Sequence, residues 1–367
     1  MDFVFCRNTN NLTYFKPENK TQMKYLTYTL LVFFSYTYGQ KQSKYTIRTV
    51  AFYNVENLFD TKNDSLIFDD ERTPDGAYTW TPKRYNSKIK NISKVISQIG
   101  KEHTGTSPDI IGLCEVENKS VLEDLVSYPT IKDKGYGIVH FDSPDARGID
   151  VALLYKTKVF LPSSFKSHRL LLFNEMGHRE YTRDQLVVGG YLDGEEIYFI
   201  INHWPSRRGG TTLSNPKRIR AALLNKRIMD SLQRQNPNVK VICMGDLNDD
   251  PRDNSLKKIL NTKGKRSKLD SLSLFNPMEQ MYRRGLGTLA YRDKWNFFDQ
   301  FMLTPNLLSE HKDSYTLWKA GIFAPAYIKS VAGRYKGYPL RTYSGKNYTG
   351  GYSDHFPVYL FLVKKAQ

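Results

Sequence analysis

Short apolar runs rich in β-branched and aromatic residues recur along the chain. They are Ile47 to Tyr53, Asp109 to Cys114, Gly137 to Phe141, Val151 to Tyr155, Leu186 to Leu192, Ile197 to Asn202, Val239 to Met244, Phe297 to Leu303 and Phe356 to Val363. Their lengths predict strands, and several alternate so little that both faces must be buried. A longer period intervenes between some of them. Ile89, Ile92, Val95, Ile96 and Ile99 share one face of a 3.6-residue repeat, and Ala221, Leu224, Ile228 and Leu232 share another, which predicts amphipathic helices. The second helix is expected to start at Asn215 as N-cap, with Pro216 in its first turn, and Asn118 or Ser120 to cap a shorter helix over Val121 to Val126. Strands outnumber helices, and hairpin-like pairs adjoin strand–helix–strand units, so the fold class expected is a mixed-sheet α/β domain, not a doubly wound parallel one. No linker or repeat divides the chain, and a single domain is expected over 44–367. Long polar, Gly-bearing connections at 60–84, 205–215, 262–296 and 308–350 are of a length usually reserved for function.

Before that domain the pattern changes. Lys24 precedes an uncharged, largely apolar run from Tyr25 to Gly39, and charge returns only at Lys41. The run is too short to span a bilayer, which takes about 20 residues, and fits the apolar region of a secretory signal. Residues 23–39 are therefore expected to be a signal peptide starting at Met23, with 1–22 a non-native upstream extension, and the mature protein to be secreted or periplasmic, without a transmembrane span and monomeric.

Composition narrows the classes. Of 367 residues, 40% are hydrophobic and 25% charged, which excludes both a disordered chain and a polytopic membrane protein. Cys6, Cys114 and Cys243 are scattered and form neither a disulfide framework nor a zinc motif. The net charge of +17 implies a field that attracts polyanions. Removing residues 1–39 takes away Arg7, Lys16, Lys20 and Lys24 with Asp2 and Glu18, so the excess belongs to the mature chain.

Polar residues with chemical reach stand at the ends of the apolar runs. Asn54 and Glu56 follow the first, Glu115 the second, Asn202 and His203 a middle one, and Asp246 and Asn248 the next; Asp150 and Asp299 open two more, and Asp354 with His355 precedes the last. Sheet edges are where α/β proteins assemble sites, so these residues are expected to converge. The set suits phosphodiester hydrolysis. A hard divalent cation such as Mg²⁺ takes oxygen donors, which Glu115, Asn54 and Asp354 offer; Mn²⁺ and Ca²⁺ accept the same donors. Asp246 with Asn248 suits activation of a water, His203 and His355 suit the developing negative charge, and Asp299 suits the orientation of His355.

At this point the residues carry a resemblance. In order, YNVENLF (53–59), DIIGLCEVEN (109–118), RGIDVALLY (147–155), INHWPSR (201–207), GDLND (245–249), FFDQFML (297–303) and GGYSDHFPVYL (350–360) resemble the motif series of the endonuclease/exonuclease/phosphatase superfamily. The resemblance implies a DNase-I-like four-layer sandwich, two mixed β-sheets packed face to face and flanked by helices, that cleaves phosphoester bonds with Mg²⁺ or a related cation. It implies Asn54 and Glu115 near the metal, with Asp354 from the closing pair. It also implies Asp246 and Asn248 positioning water and phosphate, His203 after the middle strand, and Asp299 orienting His355; Asp246 and His355 both remain candidates for the general base. Arg147 and Asp150 of the RGIDVALLY segment, with Arg207, are candidate substrate-binding residues. Within so broad a family the charge ranks substrates. Arg207, Arg208, Lys217, Arg218, Arg220, Lys226 and Arg227 form one basic cluster, and Lys263, Lys265, Arg266, Lys268, Arg283, Arg284, Arg292 and Lys294 another, interleaved with Tyr282, Tyr291, Trp295, Tyr335, Tyr338, Tyr343 and Tyr348. Phosphate contacts and base stacking both follow from such a mixture, so a nucleic acid substrate is expected first and a lipid or small phosphoester second.

Overall fold

The computed structural model describes residues 45–366. The predicted upstream extension and signal peptide lie outside them, as does Cys6. The strands of the two large sheets are, in chain order, β1 (Tyr45–Leu58), β2 (Ile110–Val116), β3 (Tyr136–His140), β4 (Asp150–Lys156), β5 (Phe160–His168), β6 (Gln185–Leu192), β7 (Glu195–His203), β8 (Val241–Asp246), β9 (Thr262–Lys263), β10 (Leu274–Phe275), β11 (Asp299–Leu303), β12 (Thr316–Ile322) and β13 (Val358–Lys365). The principal helices are α1 (Pro82–Ile96), α2 (Lys119–Ser127) and α3 (Thr211–Gln235).

The first sheet has six strands in the order β12-β13-β1-β2-β4-β3, and the second has seven in the order β9-β10-β11-β8-β7-β6-β5. Each is mixed: β1 runs parallel to β2, and β8 parallel to β7, among antiparallel neighbours. The period-2 geometry of a strand sorts side chains between layers. On β1, Val50 and Phe52 point into the core between the sheets, where they meet Phe199, Ile201, Met244 and Phe301 of the second sheet. Ala51 and Tyr53 point the other way, against Ile89, Ile92 and Ile96 of α1 and Leu122 of α2. The second sheet is covered in turn by α3, whose Ala221, Leu224 and Ile228 pack on Ile200, Val241 and Cys243. The layers are therefore helix, sheet, sheet, helix, which is the sandwich implied by the motif series. Both central strands read as continuous apolar runs because both faces are buried.

The helix ends follow local chemistry, with one correction. Thr81 caps α1, its hydroxyl accepting from Arg84 N, with Pro82 at the first position, and Asn118 caps α2 by accepting from Val121 N at 3.1 Å. The expected start of α3 at Asn215 is wrong. The helix begins at Thr211 after Gly210, and Asn215 and Pro216 lie inside it. Ser214 N bonds Gly210 O, so the first turn closes before the proline is reached and Pro216 costs one early hydrogen bond. Four further strands carried no apolar run, the two-residue β9 and β10 and the longer β5 and β12.

Candidate active site

The polar ends of β1, β2, β7, β8 and β11 meet at one edge of the sandwich, together with the segment that enters β13. The first sheet brings Asn54, Glu115, Asp354 and His355; the second brings His203, Asp246 and Asp299.

Glu115 reaches the site because the sheet is irregular there. Cys114 pairs with Asn54 and with Val151, the next pairs are Val116 with Leu58 and with Asp150, and Glu115 is skipped on both sides. A bulge of this kind re-aims a side chain. The backbone at Glu115 has φ 62°, and Glu56, Asn57 and Asn248 are likewise in the left-handed region at 52°, 52° and 49°. Each such residue costs about 1–3 kcal/mol and persists only where the surroundings hold it. The holding contacts are visible: Asn57 N donates to Glu115 Oε2 at 2.9 Å, Asn54 Nδ2 donates to Glu115 Oε1 at 3.2 Å and to Asp246 Oδ2 at 3.0 Å, and Glu56 N donates to Asn54 Oδ1. Gly245 lets β8 approach β7 closely before Asp246, since a Cβ there would lie 2.4 Å from Asn202 O.

The imidazoles are set apart by their surroundings. His355 Nδ1 lies 2.7 Å from Asp299 Oδ2, which leaves Nε2 facing Asp246 Oδ2 at 3.8 Å and Asp354 Oδ1 at 4.0 Å. Burial opposes its charge, but the Asp299 and Asp246 carboxylates outweigh burial and hold its pKa well above the usual value. His203 Nε2 stands 3.7 Å from Asp246 and 3.8 Å from Glu115. Burial, reinforced by Arg183 and Arg147, pushes His203 well below the usual histidine value, and its Nδ1 is buried without a hydrogen-bond partner. The surroundings thus favour the charged form of His355 and the neutral form of His203. Burial, with Asp299 and Glu115 adding to it, pushes the Asp246 carboxyl up to about 6. Burial also raises Asp354, although His355 and Arg341 oppose it. Asn248 N donates to Asp246 Oδ1 at 3.0 Å and its Nδ2 to Trp204 O, which fixes the turn.

The donor set fits a hard cation. Three buried or half-buried carboxylates converge: Asn54 Nδ2 bridges Glu115 and Asp246, and Glu115 is near enough to Asp354 to help raise its pKa; oxygen donors of this type suit Mg²⁺-like ions. Asp246, Asp299 and His355 also place ligand atoms within 4.8 Å of one another and form a candidate metal cluster.

The remaining sequence candidates are placed less directly. Arg147 is half-exposed on the rim and close enough to His203 to depress its pKa. Asp150 turns away from the opening: its carboxylate accepts from Ser143 N and Oγ and lies 3.3 Å from His140 Nε2, so it anchors the loop that carries Arg147. Arg207 donates to Asn248 O at 2.8 Å and to Asp253 Oδ2 at 2.8 Å and lies over Phe298, so its guanidinium clamps the turn after Asp246. The two basic clusters do not bring all of their charge to the site. Arg218 is fully buried against Asp249 and Lys217 pairs with Glu180. Lys263 pairs in register with Phe275, and Phe275 with Leu303, the end of β11 opposite Asp299, so it sits about 13 Å from the site edge.

Other residues were not singled out as site residues from sequence. Lys88 on α1 buries its ammonium against Thr342 Oγ1 at 2.6 Å and Tyr352 O at 2.8 Å, 3.6 Å from Glu56 Oε2, and so ties the segment before Asp354 to the one after Asn54. Arg183 donates to Trp204 O and to Asp145 in the wall beside His203. Arg341 reaches Asp354 Oδ2 at 3.3 Å. Each lies outside the apolar runs or on a helix, where no sequence signal separated it from ordinary surface charge.

A family model described as Endonuclease/Exonuclease/phosphatase family matches residues 49–364. The chain belongs to the endonuclease/exonuclease/phosphatase family. It is accordingly a phosphoester hydrolase. Solved structures agree on the fold. An endonuclease/exonuclease/phosphatase family protein from Bacteroides thetaiotaomicron matches with a TM-score of 0.53 and 19% identity, over 88% of this chain and 100% of that one. The mannosyl-6-phosphatase Bt3783 of the same organism matches with 0.50 and 20%, over 86% and 99%. TDP2 from D. rerio, complexed with a single-strand DNA product, matches with 0.50 and 13%, over 86% and 99%. No curated protein sequence matches the chain significantly. Among the described residues, no helix is long and apolar enough to cross a membrane.

Proposed function

We propose that this chain is a divalent-cation-dependent nuclease that hydrolyses DNA or RNA with little sequence preference, and that it acts after export. The fold does not choose the substrate, since a sugar-phosphate phosphatase and a DNA-bound protein share it. The observation that carries the choice is the rim. Arg208, Arg292 and Lys294 line a cleft beside Asn296 and Phe298, next to the Asp299 strand, and among the described residues none of them has a carboxylate partner. Unneutralised cations in a cleft beside a phosphoesterase centre suit a phosphate backbone, which presents charge beyond the bond being cleaved.

Glu115, Asn54 and Asp354 would hold the cation, with Mg²⁺ the expected ion. When bound, it supplies charge stabilisation at the phosphoryl oxygens. In this reading Asp246, with its pKa near neutrality, takes a proton from the attacking water while Asn248 fixes its turn. The His355 imidazolium, oriented by Asp299, donates toward a phosphate oxygen, and His203 offers a neutral N–H.

The proton assignment has a pH consequence. Asp246 must be ionised to accept a proton, so the rate is expected to rise with pH and level off above the folded-state pKa. The inflection in a kcat/KM profile is expected at or below about 6, because a nearby cation favours the carboxylate. A profile that inflects well above 6, or that falls as the pH rises, would assign the base elsewhere. The function itself is tested with the full chain on plasmid DNA, RNA, mannose 6-phosphate and sphingomyelin vesicles, each with Mg²⁺, Mn²⁺ or Ca²⁺. DNA or RNA is expected to be degraded, and EDTA to stop the reaction. Intact nucleic acid with all three ions, alongside turnover of a small or lipid ester, would overturn the nuclease reading.

A further inference from the structure

A cavity of about 730 Å³ opens beside Asp354 and adjoins the Arg208 cleft, with which it shares Tyr291 and Arg292. One wall is the hairpin Leu289–Tyr291 and Lys294–Asn296, which gives Tyr291 and Arg292; the other is the segment 330–349, which gives Arg334, Tyr335 and Tyr338. The size is that of pockets enclosing one small-molecule unit, about 300–1,000 Å³.

Three features define what fits. Tyr291 and Tyr335 are 61% and 54% exposed as residues; Arg292 lies over the first ring and Tyr338 is tilted against the second at 5.7 Å, so the ring area left open is that turned away from those neighbours. The charge is positive: Arg292 lies over Tyr291 at 5.4 Å without a carboxylate partner among the described residues, and Arg341, which lines the inner end, reaches Asp354. The shape is also preset. Arg292 and Asp293 at the hairpin tip have φ of 49° and 63°, and Asp293 accepts from Arg334 Nη2 and from Tyr338 Oη, both at 2.9 Å, joining the two walls. Trp295 on the same hairpin stacks on Phe356 with centroids 6.0 Å apart, and Phe356 is the neighbour of His355. The cavity is therefore registered to the catalytic histidine. Acyl chains are excluded by the arginines, and a bare sugar phosphate leaves two ring faces unused. A planar base carried on a phosphorylated sugar uses both.

We propose that this cavity binds the nucleoside attached to the phosphate under attack, with its base against Tyr291 and Tyr335 and its outer phosphate or hydroxyls against Arg292 and Arg334. The choice of a nucleotide rests on the nucleic-acid reading of the rim. Calorimetric titration of the full chain with Mg²⁺ tests it, using the non-hydrolysable adenosine 5′-phosphonate and ribose 5-phosphonate as probes. The adenosine compound is expected to bind at least about tenfold more tightly, the range that stacking of one base supplies. Tyr335→Ala and, independently, Tyr291→Ala are each expected to remove most of that difference. Equal affinity for the two probes, or a base preference that survives both substitutions, overturns the proposal. A chain that degrades DNA or RNA without base preference loses this subsite and keeps the nuclease reading. A tyrosine-dependent base preference with nucleic acid left intact keeps the subsite and removes the nuclease reading.

Discussion

A His355→Ala variant is expected to hydrolyse phosphodiesters about 10²–10⁴-fold more slowly than the parent chain, the range lost when a positioned proton-transfer group is removed. The effect is expected in kcat, because in the proposed mechanism His355 contributes charge and a proton at the phosphate and not the contacts that hold the rest of the substrate. The environment supports so large an effect. Asp299 fixes the Nδ1 side at 2.7 Å, and the ring is held with Nε2 toward Asp246. Asp299→Asn keeps the volume and removes the negative charge that favours the imidazolium, so it should lose activity in the same direction while leaving the ring in place. Truncation at His355 also leaves Asp299 buried without its counter-charge, so single-turnover rates must be read beside a circular dichroism spectrum. A folded His355→Ala protein within tenfold of the parent rate would transfer the role to another group.

The second large effect concerns stability and separates residues that look alike in sequence. Arg218 and Arg220 belong to one basic stretch, yet Arg218 is buried, with its guanidinium on Asp249 and 2.9 Å from Ser214 Oγ, while Arg220 is exposed. Asp249 has only Ser255 Oγ as a further side-chain partner besides Arg207 at 3.6 Å. Arg218→Ala therefore strands a buried carboxylate and is expected to cost about 3–5 kcal/mol. Arg220→Ala is expected to stay within about 0.5 kcal/mol. Urea denaturation midpoints at constant slope measure both. Equal midpoints for the two variants would show that Arg218 is solvated, and replacing Arg218 and Asp249 together by apolar residues should recover much of the loss.

The same contrast explains what could be read in the chain. Asn54, Glu115, His203, Asp246, Asp299 and the Asp354–His355 pair were legible because each interrupts an apolar run at its end, and the topology sends those ends to one edge. The interior strands were legible because burial on both faces leaves only apolar residues. Of the four edge strands, β3 was legible and β5, β9 and β12 were not. β5 reads FLPSSFKSH and is largely exposed, with Pro162 in it, and β12 carries Trp318 and Lys319 outward; an edge is polar for the reason that an interior strand is not. Lys88 was illegible for the opposite cause. It sits on a helix whose other lysines are solvated, and only the return of residues 342 and 352 onto α1 makes its ammonium a buried tie. Charge was the least informative signal, since proximity in sequence placed Lys263 with Arg292 although the sheet carries them to different ends of the molecule.

The candidate catalytic centre is shared between two sheets that no backbone ladder joins among the described residues; the side-chain bonds Asn54 to Asp246 and His355 to Asp299 cross between them at the site, and the packing of Phe52, Phe199, Met244 and Phe301 holds the two faces together. Turnover therefore acts as a gauge of shear. A slip of the sheets by a fraction of an ångström moves His203 and Asp246 relative to Glu115 and Asp354 while every strand, helix and cap remains intact. The repacked state would be folded by every spectroscopic measure and yet silent, so the tolerance of this enzyme to change is set deep in its middle layer, well away from the residues that touch phosphate.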